Sequence, residues 1–190
     1  MSTAIQPYKL VDQARRLAGF RAGRGRPRSI DLRRAVSTAY YALFHEMVAT
    51  AVDQALPDSS VEDRAKASRW FDHGDVKKCC EWIVECATKP TPSKELVEKG
   101  VWTLFSSRRE NGVRTHDVPD ALAFSADSFV SLIGARHDAG YDHEAVFPRS
   151  LAQSHVDAAK GAIDALRAER VDPHVEKFLV LLVARASRLR

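Results

Sequence analysis

Cysteine is scarce in this chain, and its placement excludes several chemistries. There are three, Cys79, Cys80 and Cys86, an odd number with no pair at the spacing of a zinc knuckle or a redox C-x-x-C. They fall on a predicted helix as small core residues, and their use fits a reducing compartment. Long apolar runs are also missing. The longest, Phe178 to Ala184, is far too short to span a bilayer, and the N-terminus has no apolar signal stretch, so the chain reads as cytoplasmic with no membrane partner. No segment alternates apolar and polar residues long enough to make a convincing strand. No Walker loop, Rossmann glycine fingerprint, H-E-x-x-H or nucleophile elbow appears, and histidines and acids do not cluster at metal-ligand spacing. The sequence therefore predicts neither a metal nor a cofactor.

What is present is helical spacing. The chain has 190 residues, 45 % hydrophobic and 28 % charged, enough to bury a core as one domain without staples. The spacing predicts a first helix over about Tyr8–Phe20, broken by the Arg/Gly/Pro stretch Arg21–Arg28. Ser29 is the expected N-cap of a long helix to about Leu56, with Leu32, Val36, Tyr40, Leu43, Met47 and Ala51 on its apolar face. A short helix over Val61–Phe71 and another from the Asp72–Asp75 turn to about Ala87 follow. A loop holds Pro90 and Pro92, a short helix is expected over Lys94–Phe105, and Ser106–His116 reads as an exposed loop. Helices over Pro119–Tyr141, from a Ser150/Gln153 capping box to Arg170, and from an Asp172 cap with Pro173 complete the chain. The last helix is apolar all round, which predicts a central place in the bundle or burial by a partner. The expected fold is all-α: an antiparallel up-and-down bundle of about five or six helices in one domain, 1–190. Residues 1–28 form an N-terminal helix and Arg-rich connector, and 171–190 form the apolar C-terminal helix.

Charge is uneven. The net charge is +4, yet Arg15 to Arg34 holds eight arginines against one acid, Asp31. Such a cluster, with Arg24, Arg26 and Arg28 in the connector, can neutralise phosphates. It reads equally as a solvated connector. A helix-turn-helix here would lack a recognition helix.

The second helix reads Leu32-Arg-Arg-Ala-Val-Ser-Thr-Ala-Tyr-Tyr-Ala-Leu-Phe-His45, which resembles the hallmark helix of bacterial HEPN proteins, R-x-A-x-S-x-A-Y-Y-A-x-F-H. Phe71-Asp-His-Gly-Asp75 and Ala135-Arg-His-Asp-Ala-Gly-Tyr-Asp142 are similar to two further elements of the same toxin-like branch, in order, so that the resemblance spans about residues 8 to 170. Gly140 stands where relatives carry an acid before the tyrosine, and predicts an earlier end to that helix. The resemblance implies a helical bundle, often a homodimer. Active relatives use an R-x4-6-H motif to cut RNA without metal in a cleft between protomers. Others bind nucleotides or partner chains, and many pair with a nucleotidyltransferase as toxin and antitoxin.

Metal-free RNA cleavage needs a proton-transfer group near neutral pKa and a fixed cation for the phosphorane, roles suited to histidine and arginine. Four pairs satisfy the motif: Arg109/His116, Arg136/His143, Arg149/His155 and Arg167/His174. With 20 arginines and seven histidines, chance alone supplies about two, so context must choose. Arg136/His143 follows a long amphipathic helix with polar His137 between, and these three are the catalytic candidates. Arg34, Tyr41 and His45 recur near one stripe of the second helix. They form either an internal hydrogen-bond network or the wall of a cleft, with Tyr41 stacking on a base and Arg34 holding phosphate. The expected function is a HEPN-like module that binds nucleotide, RNA or a protein partner without requiring catalysis; the alternative is a metal-independent endoribonuclease of a toxin or defence system.

Overall fold

A computed structural model of the chain describes residues 6–20, 26–108 and 114–187. It is an all-α bundle. Among the described residues, six helices of eleven or more residues carry it: α1 (Pro7–Leu17), α2 (Ser29–Ala55), α4 (His73–Thr88), α7 (Asp120–Tyr141), α8 (Arg149–Ala168) and α9 (Pro173–Ala186). Short helices α3 (Val61–Ala67), α5 (Lys94–Glu98) and α6 (Val101–Leu104) join them, with a single 3-10 turn at Ser68–Trp70. None of the described helices is long and apolar enough to cross a membrane.

The 27-residue α2, about 40 Å long, is the axis of the bundle, in contact with α1, α4, α7, α8 and α9 or their flanks. Ala35, Ala39, Ala42 and Ala51 are wholly buried on it, as are Ala152, Ala159 and Ala162 on α8. Small side chains at these sites let helix axes approach closely, while Leu43, Met47, Phe129 and Ile163 fill the space between. Residue pairing fixes direction. Arg33 meets Ala139 and Tyr40 meets Phe129, so α2 and α7 are antiparallel. Tyr8 meets Asp164 and Arg15 meets Asp157, so α1 and α8 are antiparallel too. By contrast Tyr40 meets His73 and Met47 meets Cys80, so α2 and α4 run the same way. The segment holding α3 and the 3-10 turn returns the chain between them, pinned by Arg64 to Asp53 at 3.2 Å. This departs from a plain up-and-down order.

Several local expectations change. The N-cap of α2 is Arg28, not Ser29: Arg28 is extended, and Asp31 bonds back to its backbone and guanidinium. Ser150 does not cap α8. Pro148, extended at φ −57° and ψ 151°, is the N-cap two residues earlier, and Gln153 donates instead to the Ala18 carbonyl at 3.1 Å. The 94–105 helix is split by Gly100, whose φ of 71° is left-handed. The ends of the 106–116 loop pair as a ribbon of β1 (Ser106–Arg108) and β2 (Arg114–His116), with Ser107 opposite Thr115. Helix α7 passes through Gly140 to Tyr141. Asp172 does cap α9, accepting from the His174 and Val175 amides. That helix buries one face, Val175, Phe178, Leu179 and Leu182, and leaves Val180 at 57 % exposure, so it is amphipathic in place rather than buried all round.

Leu43 is wholly buried and Val180 is not, which sets a contrast. Leu43→Ala is expected to lower unfolding free energy by roughly 2–5 kcal/mol in urea titrations. Val180→Ala should stay within about 0.5 kcal/mol, and equal losses would contradict this core.

Candidate functional site

Where α2, α4 and α7 meet, the apolar face of α2 becomes aromatic. Tyr40 lies 5.4 Å from Phe129 between ring centroids, and Phe44 lies 6.4 Å from the same ring. Tyr40 is buried, so its hydroxyl needs a partner. It finds one in Nδ1 of His73, 2.7 Å away. His73 is placed there because it opens α4: Asp72 caps the helix through the Gly74 amide, and the next side chain turns toward α2. The His73 ring then packs on Phe44 at 4.2 Å and on Tyr41 at 5.8 Å. Tyr41 and His45, partly exposed beside this seam, stack on each other at 6.2 Å.

From α7, Arg136 closes the group. Its Nη2 donates to the Tyr41 hydroxyl at 3.2 Å. Its guanidinium carbon lies 6.0, 5.8 and 5.9 Å from the ring centroids of Tyr40, Tyr41 and Tyr141, within cation–π range of all three. Among the described residues, no carboxylate lies within salt-bridge distance of Arg136. The site is thus a partly buried cation held by neutral aromatic groups.

Electrostatics follow from this placement. Burial pushes the Tyr40 phenol well up, so it keeps its proton and can donate to His73. Burial chiefly, and the Arg136 charge next, hold His73 below the ordinary histidine value of 6.5; Asp72 pulls weakly the other way. His45 is also held low, by burial first and by His73 second. The Tyr41 hydrogen bond raises the already high pKa of Arg136, against burial. The site therefore holds one permanent cation beside two imidazoles that favour the neutral, proton-accepting form.

The expected residues divide. Arg136, Tyr41 and His45 come together. His143 stands in the exposed turn after α7, and its carbonyl, not its ring, is engaged, by Arg33. His137 is exposed, with its ring 5.1 Å from Tyr141 and Nδ1 3.8 Å from Asp138. The motif pair Arg136/His143 thus has its arginine turned into α2 and its histidine at the surface. Arg34 is exposed, near enough to Asp31 to lower that carboxyl, and it does not join the Tyr41–His45 stack. Arg28 is engaged in capping α2, and Arg26 is exposed. Arg24 lies outside the described residues.

Two residues carry more than the sequence assigned them. His73, read from the sequence chiefly as a cap or turn residue that could also join the Tyr41–His45 network, is the imidazole bonded to the aromatic core; its place at the head of a helix after Asp72 was the available signal. Arg33 spans the end of α7, donating to the Asp138, Ala139 and Asp142 carbonyls at 3.4, 3.1 and 2.8 Å and to those of His143 and Ala145. These partners lie 105 to 112 residues away, so no local pattern announces them.

The low histidine values give a pH dependence. The unfolded chain takes up protons at His45, His73 and His155 before the folded one does, since all three are held below 6.5 when folded. Stability from this source is full above about pH 6.5 and is lost as pH falls through the lower folded values. The melting temperature should therefore drop as the buffer is taken from about pH 7 to about pH 5.5, and NMR titration should place His45 and His73 below 6.5. Titration of both at or above that value would contradict the site.

Set against family models, curated proteins and solved structures, the chain matches none of them.

Proposed function

We propose that this protein is a HEPN-like helical module that binds nucleotide or RNA through the Arg136 site. The observation that carries the reading is Arg136 itself: a partly buried guanidinium bonded to one phenol, ringed by three tyrosines, with no carboxylate partner among the described residues. A cation held this way retains unused N–H donors and the field to bind an oxyanion, and guanidinium geometry suits phosphate. Tyr141, 64 % exposed, and His137 beside it supply ring faces at the same end of α7, on which a base can stack. Arg34, exposed two turns before Tyr41 on α2, adds positive charge that draws a polyanion to this side of the helix. The HEPN-like residues Tyr40, Tyr41, His45 and Arg136 are the ones that meet here, which supports the family reading.

Arg136→Ala should weaken binding of a fluorescent single-stranded RNA oligonucleotide at least about tenfold, because a hydrogen-bonded charge contact is lost. Arg136→Lys should recover part of it. Equal affinity of wild type and Arg136→Ala in fluorescence anisotropy would refute the site.

A second reading, metal-independent cleavage, is favoured by one observation: His73, held toward the neutral form in part by the Arg136 charge, and His45, stacked on the Tyr41 ring that Arg136 also approaches, share one seam. Neutral imidazole can take the ribose 2′-hydroxyl proton as that oxygen attacks phosphorus, at His73 through Nε2 in the tautomer whose Nδ1–H donates to the Tyr40 oxygen; Arg136 stabilises the phosphorane, and the imidazolium returns the proton to the departing 5′-oxygen. In this version His73 and His45 replace His143 as the proton-transfer groups. RNA should then be cut in EDTA, His73→Ala should lose at least about 100-fold in rate, and His143→Ala should lose little. RNA left intact by the wild type would remove the ribonuclease and leave the binding module standing.

A further inference from the structure

The Arg33 guanidinium does work that helix chemistry does not require. A helix that ends at the surface leaves its last carbonyls to water, or closes with a left-handed glycine. Helix α7 ends at Tyr141 with Asp142 extended at φ −90° and ψ 106°, and no residue of that turn takes a positive φ. One side chain from the start of α2 instead gathers five carbonyls, from Asp138 in the last helical turn to Ala145 beyond it. Three of these bonds, to Asp138, Asp142 and His143, are exposed, so water could satisfy those oxygens at little cost in stability. What water could not supply is shape. The same turn is braced internally by Asp142, whose Oδ1 accepts the Glu144 and Ala145 amides at 2.8 and 3.2 Å. It is closed below by the buried Phe147 ring, 5.8 Å from the Arg33 guanidinium carbon.

The fastened turn borders the site: Tyr141, whose ring lies 5.9 Å from the Arg136 guanidinium, is the last residue of α7 before it. Both ends of the arrangement are fixed by one rigid rod: Arg33 on α2 holds the turn, and Tyr41, eight residues further along α2, holds Arg136. The geometry points to Arg33 as a positioning residue for the Arg136 site, one that presets where Tyr141 stands relative to an oxyanion held by Arg136. This rests on the phosphate-binding reading of Arg136. Arg33 does not touch the ligand; it removes the need to order the 142–147 turn on binding.

Lysine keeps the charge of Arg33 but concentrates its donors on one nitrogen, which cannot span carbonyls from Asp138 to Ala145. Arg33→Lys therefore separates geometry from charge. Asp142→Ala loosens the same turn from the other side without altering Arg33, and serves where Arg33→Lys folds poorly. For both variants three quantities are measured: melting temperature, residue-resolved amide hydrogen exchange, and affinity for the single-stranded RNA oligonucleotide, with Arg136→Ala alongside.

The expected result is faster exchange confined to 142–147, an unchanged melting temperature, and affinity reduced by about three- to tenfold, as when a loop must be ordered during binding. Unchanged exchange and affinity in both variants would overturn the proposal. So would faster exchange spread through α2 and α8, which would make Arg33 a general structural residue. If wild type binds, Arg136→Ala does not, and both turn variants bind like wild type, the Arg136 reading survives and the positioning role falls. If wild type fails to bind, both fall.

Discussion

A helix sheathed on nearly every side cannot hand its polar groups to water, and α2 is under that constraint. Of its 27 residues, 14 are buried, and three of these, Tyr40, Glu46 and Thr50, have polar side chains. Each needs a partner, and two of the partners select a neighbouring helix. Tyr40 takes His73 and so fixes the head of α4. Glu46, 4 % exposed, accepts two bonds of 2.7 Å from the Arg167 guanidinium and fixes α8. Thr50 turns back on the Glu46 carbonyl within its own helix. Apolar packing would hold these helices together in several registers; the polar pairings choose one. Arg167 also lies over the Tyr8 ring at 4.4 Å, which carries the same selection on to α1.

The candidate site arises where that sheath thins. Tyr41 and His45 follow directly from the buried aromatic stripe, but are only partly covered by α4 and α7. The result is a graded environment: a dry hydrogen bond at Tyr40, two imidazoles half removed from water, then Arg136 at the rim. Low local dielectric on one side strengthens the field of Arg136 on the other, while the absence of a carboxylate among the described residues near it leaves that field uncancelled.

The long helices were legible because burial of one face imposes a 3.6-residue repeat, clear from Leu32 to Ala51. The Asp172–Pro173 start was legible because its chemistry is local. Ser29 and Ser150 carried capping chemistry too, yet Pro27 and Pro148 precede extended or helix-starting backbone that moves the α2 boundary one residue and the α8 boundary two residues earlier, and the hydroxyls fall inside the helix. The β1–β2 ribbon is three residues a strand, too short for a period to declare itself. The shared direction of α2 and α4 depends on how the α3 segment crosses, which spacing does not encode. In the site, Tyr41, His45 and Arg136 were recognisable from the HEPN-like pattern. The motif rule paired Arg136 with His143 by counting residues, whereas the fold leaves His143 in the exposed turn and sets His73, from α4, against Tyr40 and Tyr41.

The α1–α8 seam has a consequence for how the chain comes to be folded. Tyr8 with Asp164, Arg15 with Asp157, and the Ala18 and Gly19 carbonyls with Gln153 and Arg149 join segments 130 to 156 residues apart. Gly19 is itself shaped for this closure, left-handed at φ 75° and so near Pro27 and Arg149 that a β-carbon would collide. On a ribosome α1 and α2 emerge one after the other and can pack at once, while the α8 residues that meet α1 follow some 130 residues later. The α1–α8 bonds are therefore late closures laid across a pair already formed, long-range contacts of the kind that slow folding.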